Sequence, residues 1–247
     1  MQIPKAAAER IVWALTESAK ELAEANPTAF TKAVLSHRNA LARIAARKLE
    51  IATIIDLGAA KGAWSTMART IWPVSHAHMI EANHHWEREL FALAQTPGYS
   101  YEIACAGPAK GDGYFLFPET DPYGGVGAAA GTPGATRVPQ VTVDSQCAEK
   151  KLKAPYLVKF DTHGFEREIL KGATETLKQT NLIVLEAYNY GAREIRFPAM
   201  LNLLEDMGFR CVDIGEPLFR EHDSCFWQID FFLVPAARPE VQYSRYK

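Results

Sequence analysis

The stretch from Ile51 to Gly62, IATIIDLGAAKG, constrains the fold of this chain more than any other segment. Residues Ile54–Leu57 form a short and mostly apolar run, which is typical of a strand buried in a parallel sheet. The run ends at Gly58, and Gly62 follows after three residues. Glycine allows a backbone to approach a ligand that a Cβ atom would block, and the start of a helix offers free N–H groups. The stretch therefore predicts a strand, a turn and a helix that form a nucleotide-type pocket.

Asp56 indicates which nucleotide this pocket binds. A dinucleotide fingerprint has the spacing G-x-G-x-x-G, because a pyrophosphate lies on the loop and the helix N-terminus. Here the spacing is G-x-x-x-G, and Asp56 precedes the first glycine by two residues. A carboxylate at this place repels a pyrophosphate and attracts a cation. S-adenosylmethionine has no phosphate and carries an ammonium and a sulfonium, so the pattern favours it over NAD.

A second acid, Glu81, ends the next predicted strand, His78–Glu81. In doubly wound folds, an acid at this position binds the ribose hydroxyls. NAD and S-adenosylmethionine both contain a ribose. Glu81 therefore supports a nucleoside ligand without choosing between the two.

Apolar runs that alternate with helical patterns predict an α/β fold with a mainly parallel sheet flanked by helices. Further strands are predicted at Tyr101–Cys105, Tyr114–Phe117, Val138–Val143, Tyr156–Asp161, Leu182–Glu186, Cys211–Ile214 and Phe226–Val234. Helices are predicted at Ala63–Ile71, Asn83–Ala94, 165–178, and from Pro198 to a stop at Gly208. Ligands bind at the carboxyl ends of such strands. Acids stand at four of these ends: Asp56, Glu81, Asp161 and Glu186.

The chain divides into a helical extension at 1–50, a catalytic domain at 51–236 and a polar, loose tail at 237–247. The extension consists of two predicted helices, Lys5–Ala25 and Thr28–Glu50, separated by Asn26-Pro27. We expect it to serve packing or homo-oligomer formation, with a lid over the substrate as the alternative. The loop Pro118–Pro139 is rich in glycine, alanine and proline, which predicts either a substrate lid or a disordered surface loop.

Composition excludes several classes of partner. The formal net charge of −2 argues against a nucleic-acid ligand, which requires a basic face. Because the sequence has no run of about 18 apolar residues, no membrane span is expected. The N-terminus lacks an apolar signal core, and the four cysteines show no pairing or metal spacing. These features predict a cytoplasmic protein.

The segment LVKFDTHGFEREILKGA at 157–173 resembles the signature of FkbM-type methyltransferases, K-[IF]-D followed by x-x-G-x-E and L-x-G-A. The resemblance extends through IIDLGAAKGAWS, IEAN, VTVD, VLEAYNY and MGF, and covers roughly residues 52–234. It implies a class I methyltransferase (Rossmann-like) fold and S-adenosylmethionine as donor. It also implies O-methylation of a hydroxyl on a sugar, polyketide or other small metabolite.

The resemblance also implies cofactor contacts. Asp56, Gly58 and Ala60 are expected at the methionine end, together with Ala59 of the same turn, and Glu81 at the ribose. Topology places Ala104 and Cys105 near the adenine. Asp161, at the end of its strand, is expected beside the cofactor as well.

For the chemistry, a hydroxyl acceptor must lose its proton, and histidine exchanges protons near neutral pH. His163 is the titratable residue closest to the relevant strand end, and we expect it to be the base. Asp161 would orient the imidazole or bind a divalent cation that acidifies the hydroxyl, and Glu186 would be a second acid facing the acceptor. The alternatives are structural: a helix cap for Asp161, loop packing for His163 and a loop cap for Glu186.

Three other functions remain open from sequence. They are an N-methyltransferase, an NAD(P)-dependent oxidoreductase on a similar sheet, and a binding module that has lost catalysis.

Overall fold

The computed structural model describes residues 34–190 and 195–245. The helices within these residues are α1 His37–Ala45, α2 Ala63–Arg69, α3 Glu87–Ala94, α4 Val143–Glu149, α5 Glu166–Lys171, α6 Thr174–Leu177, α7 Phe197–Asp206 and α8 Pro239–Gln242, and a 3₁₀ turn spans His84–Trp86. The strands are β1 Thr53–Leu57, β2 His76–Glu81, β3 Tyr99–Ile103, β4 Cys105–Ala106, β5 Gly111–Leu116, β6 Val126–Gly127, β7 Thr136–Val141, β8 Tyr156–Phe160, β9 Thr180–Tyr188, β10 Phe209–Phe219 and β11 Phe226–Pro235.

A seven-stranded, mainly parallel sheet forms the centre of the described part of the chain. Its strand order is β10-β11-β9-β8-β1-β2-β3. Strands β3, β2, β1, β8 and β9 run parallel, whereas β11 runs antiparallel to both of its neighbours. Strands β4, β7, β5 and β6 form a second, smaller sheet. The α/β fold with a mainly parallel sheet is therefore confirmed.

The period-two alternation of the strands sorts their side chains between two cores. One core packs against α4, α5, α6 and α7, and the other packs against α1 and α2. Ile54, Leu157, Val184 and Phe232 of the central strands belong to the second core. Each of these strands carries a charged residue on the same face, two positions closer to the carboxyl edge of the sheet. These charged residues are Asp56, Lys159, Glu186 and Asp230. One face of the sheet thus changes from apolar to charged where the strands end.

Helix α1 is the described part of the predicted N-terminal extension. It begins after Ser36, whose side chain accepts a bond from the Asn39 N–H at 3.3 Å, and it is shorter than the predicted helix Thr28–Glu50. Ala40, Leu41 and Ile44 are fully buried against the central sheet. The predicted helix Lys5–Ala25 lies outside the described residues.

Three local predictions differ from the structure. Helix α4 follows β7 where only a strand was expected, because Thr142 and Ser145 form a reciprocal cap. The predicted helix 165–178 is split into α5 and α6 at Gly172, where a Cβ atom would lie 2.2 Å from the Gly107 carbonyl oxygen. The tail, expected to be loose, contains the short helix α8. No helix within the described residues has the length and apolarity to cross a membrane.

Candidate active site

A cavity of about 300 Å³ lies at the carboxyl ends of β1, β2 and β8. The predicted site residues that line it are Gly58, Ala59, Ala60, Glu81, Ala104, Cys105, Asp161 and His163. Asp56 and Glu186 are the predicted residues outside this lining. The structure therefore brings most of the predicted site together around one cavity.

The turn after β1 forms the base of the cavity. Gly58 has φ +76°, and a Cβ atom there would lie 1.9 Å from the backbone oxygen of Asp161. Only glycine fits this approach of the β1 turn to the end of β8. The Asp161 N–H donates to the Leu57 oxygen at 3.1 Å, which fixes the two strand ends to each other.

Glu81 holds the other side of the same turn. Its two carboxylate oxygens accept the backbone N–H groups of Ala60 and Asn83, each at 2.7 Å. Burial raises the pKa of Glu81, and these backbone bonds oppose the rise. A carboxylate oxygen can accept more than one bond, so Glu81 can hold the turn and still accept a bond from a ligand hydroxyl.

Asp56 is fully buried and its carboxylate is bonded to protein groups. Its Oδ2 accepts the Ser65 hydroxyl at 2.7 Å, and its Oδ1 lies 3.6 Å from the Nζ of Lys159. Asp56 does not line the cavity, and its contact with the cofactor stays a prediction. Its ionic neighbour Lys159 does line the cavity.

Lys159 lines the cavity, and sequence reasoning left it without a role. Burial lowers the pKa of its amine, but the charges of Asp161 and Asp56 outweigh burial and the net shift is upward. Its Nζ lies 2.7 Å from Asp161 Oδ2 and 5.5 Å from the centre of the Trp64 ring. The signal in the sequence was a single charged residue within the five-residue buried strand YLVKF, because a buried amine requires an ionic partner.

Asp161, His163 and Glu186, the three predicted catalytic residues, form one cluster. The Nε2 of His163 lies 3.6 Å from Asp161 Oδ1 and 3.9 Å from Glu186 Oε2. Burial raises the pKa of Glu186 to about 8, and the charge of Asp161 adds to this effect. Burial also acts to raise the pKa of Asp161, but the adjacent Lys159 charge dominates and the net shift is downward. The two acids therefore differ in protonation at neutral pH.

The turn at residues 162–164 places His163 in this cluster. His163 has φ +51°, a left-handed conformation that costs energy for a residue other than glycine. The buried carboxylate of Glu166 accepts the Gly164 N–H at 3.1 Å and the Thr162 hydroxyl at 3.0 Å, which holds the turn. Phe165 precedes α5 without a side-chain cap, so Asp161 does not cap this helix.

The cluster also has the composition of a cation site. One ligand atom from each of Asp161, His163 and Glu186 lies within 4.8 Å of the others. Both carboxylates already have partners: Lys159 donates to Asp161, and Tyr188 and Gln228 donate to Glu186. These donors compete with a metal ion for the carboxylate lone pairs.

The long loop Pro118–Pro139 forms one wall of the cavity. The Pro122 oxygen accepts the side-chain N–H groups of Asn83 at 3.0 Å and Trp86 at 3.2 Å. The Tyr123 ring packs on Trp86 with 4.7 Å between ring centres. The loop therefore forms part of the cavity wall. The sequence had left open whether it was a substrate lid or a disordered surface loop.

The sequence model of the methyltransferase FkbM domain matches residues 56–211. The chain belongs to the FkbM methyltransferase family. S-adenosylmethionine is the cofactor that this family implies, and the Rossmann-like α/β fold is the one that the signature around Lys159 and Asp161 predicted. The oxidoreductase alternative does not hold.

Solved structures include similar proteins. The methyltransferase FkbM from Methylobacillus flagellatus KT matches with 17% identity and a TM-score of 0.46, over 73% of this chain and 43% of that protein. The precorrin-6y C5,15-methyltransferase from Geobacter metallireducens GS-15 matches with 14% identity and a TM-score of 0.39, over 78% of this chain and 86% of that one. The magnesium protoporphyrin IX methyltransferase from Synechocystis PCC 6803 matches with 10% identity and a TM-score of 0.44, over 81% of this chain and 79% of that one.

The chain thus spans less than half of the FkbM protein of known structure. No curated protein matches the chain. The family assignment rests on the match of the sequence model to residues 56–211.

Proposed function

We propose that this FkbM-family protein transfers a methyl group from S-adenosylmethionine to a hydroxyl oxygen of a small-molecule acceptor, with His163 as the base. The observation that carries the proposal is the position of the His163 Nε2 atom between Asp161 and Glu186, at 3.6 and 3.9 Å. His163 also lines the cavity, next to the glycine turn. These positions support a role for His163 as the proton acceptor.

The cavity residues fit the cofactor. The backbone of Gly58, Ala59 and Ala60 forms a cradle that a Cβ atom at residue 58 would fill, and Glu81 has lone pairs for ribose hydroxyls. Ala104 and Cys105 line the same cavity and would face the adenine. Asp161 would face the methionine end, with Asp56 supporting it through the shared Lys159 amine. The cofactor supplies an electrophilic methyl group on a sulfonium.

The protein's own contribution is positioning and proton removal. A methyl transfer requires the acceptor oxygen about 3 Å from the methyl carbon and in line with the leaving sulfur. His163 would take the hydroxyl proton on Nε2 as the oxygen attacks, and the imidazolium that forms would be stabilised by the ionised Asp161. Glu186, with its pKa raised to about 8, would be largely neutral at pH 7 and would leave Asp161 as the charged neighbour of the imidazolium.

The test is a transfer assay with isotopically labelled S-adenosylmethionine and a panel of small sugars, phenols and amines, with mass spectrometry to locate the methyl group. We expect the label on oxygen. His163→Gln should lower the single-turnover rate at least roughly 100-fold, which is the lower range for loss of a general base. Binding of S-adenosylhomocysteine, measured by calorimetry, should change less than about threefold.

His84→Gln is the matched control, because His84 is exposed and pairs only with Glu87 at 3.2 Å among the described residues. It should keep the full rate. Label on nitrogen would identify an N-methyltransferase, and an unchanged rate in His163→Gln would exclude this residue as the base. A rate that vanishes with a chelator and returns with a divalent cation would instead favour metal activation at Asp161.

A further inference from the structure

Helix α1 reaches the cavity through its first residue, His37. This residue lies outside residues 56–211, which the family's sequence model matches. Its ring is nevertheless part of the cavity wall. A segment that precedes the matched domain therefore contributes to the site.

One ring nitrogen of His37 forms a hydrogen bond, and the other lies beside a carboxylate. The Nδ1 atom accepts the indole N–H of Trp64 at 3.0 Å. Because Nδ1 accepts, the proton of the neutral ring is assigned to Nε2, and this atom lies 3.0 Å from Asp230 Oδ2. The ring also packs edge-on against Trp64 and Phe232, with 6.1 and 5.7 Å between ring centres. His37 is thus fixed in one orientation.

The two partners belong to different parts of the site. Trp64 lines the cavity two residues after the glycine turn, and its ring faces the Lys159 amine at 5.5 Å. Asp230 is buried on β11, directly opposite Glu186 of β9 in the strand register. His37 therefore connects the wall beside the glycine turn to the strand pair that carries Glu186.

We propose that His37 is a positioning residue that makes α1 part of the cofactor site. It holds the Trp64 indole against Lys159 through its Nδ1 atom and places its Nε2 atom beside the buried Asp230 carboxylate. Without the two ring nitrogens, the partly buried indole N–H would lose its acceptor and the buried carboxylate its polar neighbour. The Trp64 wall would then loosen, and the cavity would bind its cofactor less tightly. This inference rests on the proposed placement of the methionine end beside the glycine turn.

The test compares His37→Phe, which keeps a ring but no nitrogen, with His37→Gln, whose amide can accept from Trp64 and donate to Asp230. The probe is S-adenosylhomocysteine, titrated by calorimetry at a temperature where each variant is folded. We expect His37→Phe to raise Kd roughly tenfold, equivalent to about 1.4 kcal/mol. His37→Gln should stay within about threefold of the wild type. The readout needs no acceptor, so it is independent of the test of O-methylation.

A control and a double-mutant cycle separate positioning from a general loss of stability. His76→Phe is the control, because His76 is partly buried and bonded to Ser100 at 2.7 Å but lies at the opposite end of β2; it should leave Kd unchanged. In a Trp64→Phe background the indole bond is already absent, so His37→Phe should add little further loss. Wild-type affinity in His37→Phe, or full additivity with Trp64→Phe, would overturn the proposal.

Discussion

The Lys159 amine and the Asp161 carboxylate lie 2.7 Å apart at the end of β8, and Lys159 is almost fully buried. The same amine lies 3.6 Å from Asp56, at the end of β1. The Lys159 ammonium is thus the cationic partner of acids on two adjacent strands. Asp56, which was expected to contact the cofactor alone, is part of a buried ionic group.

Replacing Lys159 with methionine should be strongly destabilising. The change leaves Asp56 and Asp161 close together without their shared cation, and breaking a buried ion pair typically costs about 3–5 kcal/mol. Urea unfolding should reveal this as a lower free energy of unfolding. Lys178→Met is the matched control, since Lys178 pairs with Glu175 at 2.6 Å but both side chains are exposed; it should cost less than about 1 kcal/mol. Equal losses in the two variants would contradict the assigned role of Lys159.

Gly58→Ala should disrupt the cavity, and its cost in stability should exceed the cost of placing an alanine in a left-handed backbone conformation. Gly58 and Gly134 have φ +76° and +77°, but a Cβ atom at Gly134 would meet only Leu116 at 3.8 Å. At Gly58 it would meet the Asp161 oxygen at 1.9 Å. We expect Gly134→Ala to cost about 1 kcal/mol, and Gly58→Ala to cost more and to abolish S-adenosylhomocysteine binding. Calorimetry and thermal unfolding of both variants measure the difference.

Glu186 should make stability depend on pH in a defined direction. The pKa of Glu186 is about 8 in the folded protein and the ordinary glutamate value is 4.5. Between these values the folded protein holds a proton that the unfolded chain has released, so the free energy of unfolding falls as pH rises. Glu186→Gln removes this contribution, and its melting temperature relative to the wild type should increase from pH 5 to pH 8. Each kcal/mol corresponds to about 2–4 °C.

The control for this measurement is Glu175→Gln, which changes an exposed carboxylate. Its melting temperature relative to the wild type should vary little over the same pH range. A Glu186→Gln variant whose offset from the wild type is constant with pH would show that Glu186 is ionised throughout.

Glu166→Ala should reduce turnover more than cofactor binding. The change removes the acceptor for the Gly164 N–H and the Thr162 hydroxyl, so His163 loses the turn that holds it near Asp161 and Glu186. We expect a loss of about 1–3 kcal/mol in stability and a lower kcat, with the S-adenosylhomocysteine Kd nearly unchanged. Glu168→Ala on the same helix should leave kcat intact, because within the described part of the chain Glu168 pairs only with the exposed Lys171.

The central sheet and most of the cavity could be predicted from sequence because their signals are local. A buried strand is recognisable in the sequence as an apolar run. Acids at the carboxyl ends of neighbouring parallel strands lie at the same edge of the sheet. For that reason Asp161 and Glu186 could be paired across 25 residues of sequence, and His163 could be placed beside them because it follows Asp161 by two residues.

The remaining features depend on contacts between distant segments. The Lys159 amine, the His37–Asp230 pair and the approach of Gly172 to Gly107 carry no periodic pattern. Asp56 was assigned to the cofactor because its charge was visible in the sequence, whereas the amine that shares that charge lies 103 residues further along the chain. Only the register of β1 and β8 brings the two together.

The most direct test of the roles assigned to these residues is a crystal structure of this protein with S-adenosylhomocysteine. We predict that the sulfur lies at the Asp161–His163 side of the cavity, with the ribose at Glu81 and the adenine beside Cys105. A sulfur at the Asn83–Trp86 side, with His163 facing the adenine, would contradict the assignment of His163, Asp161 and Glu186 to the chemistry.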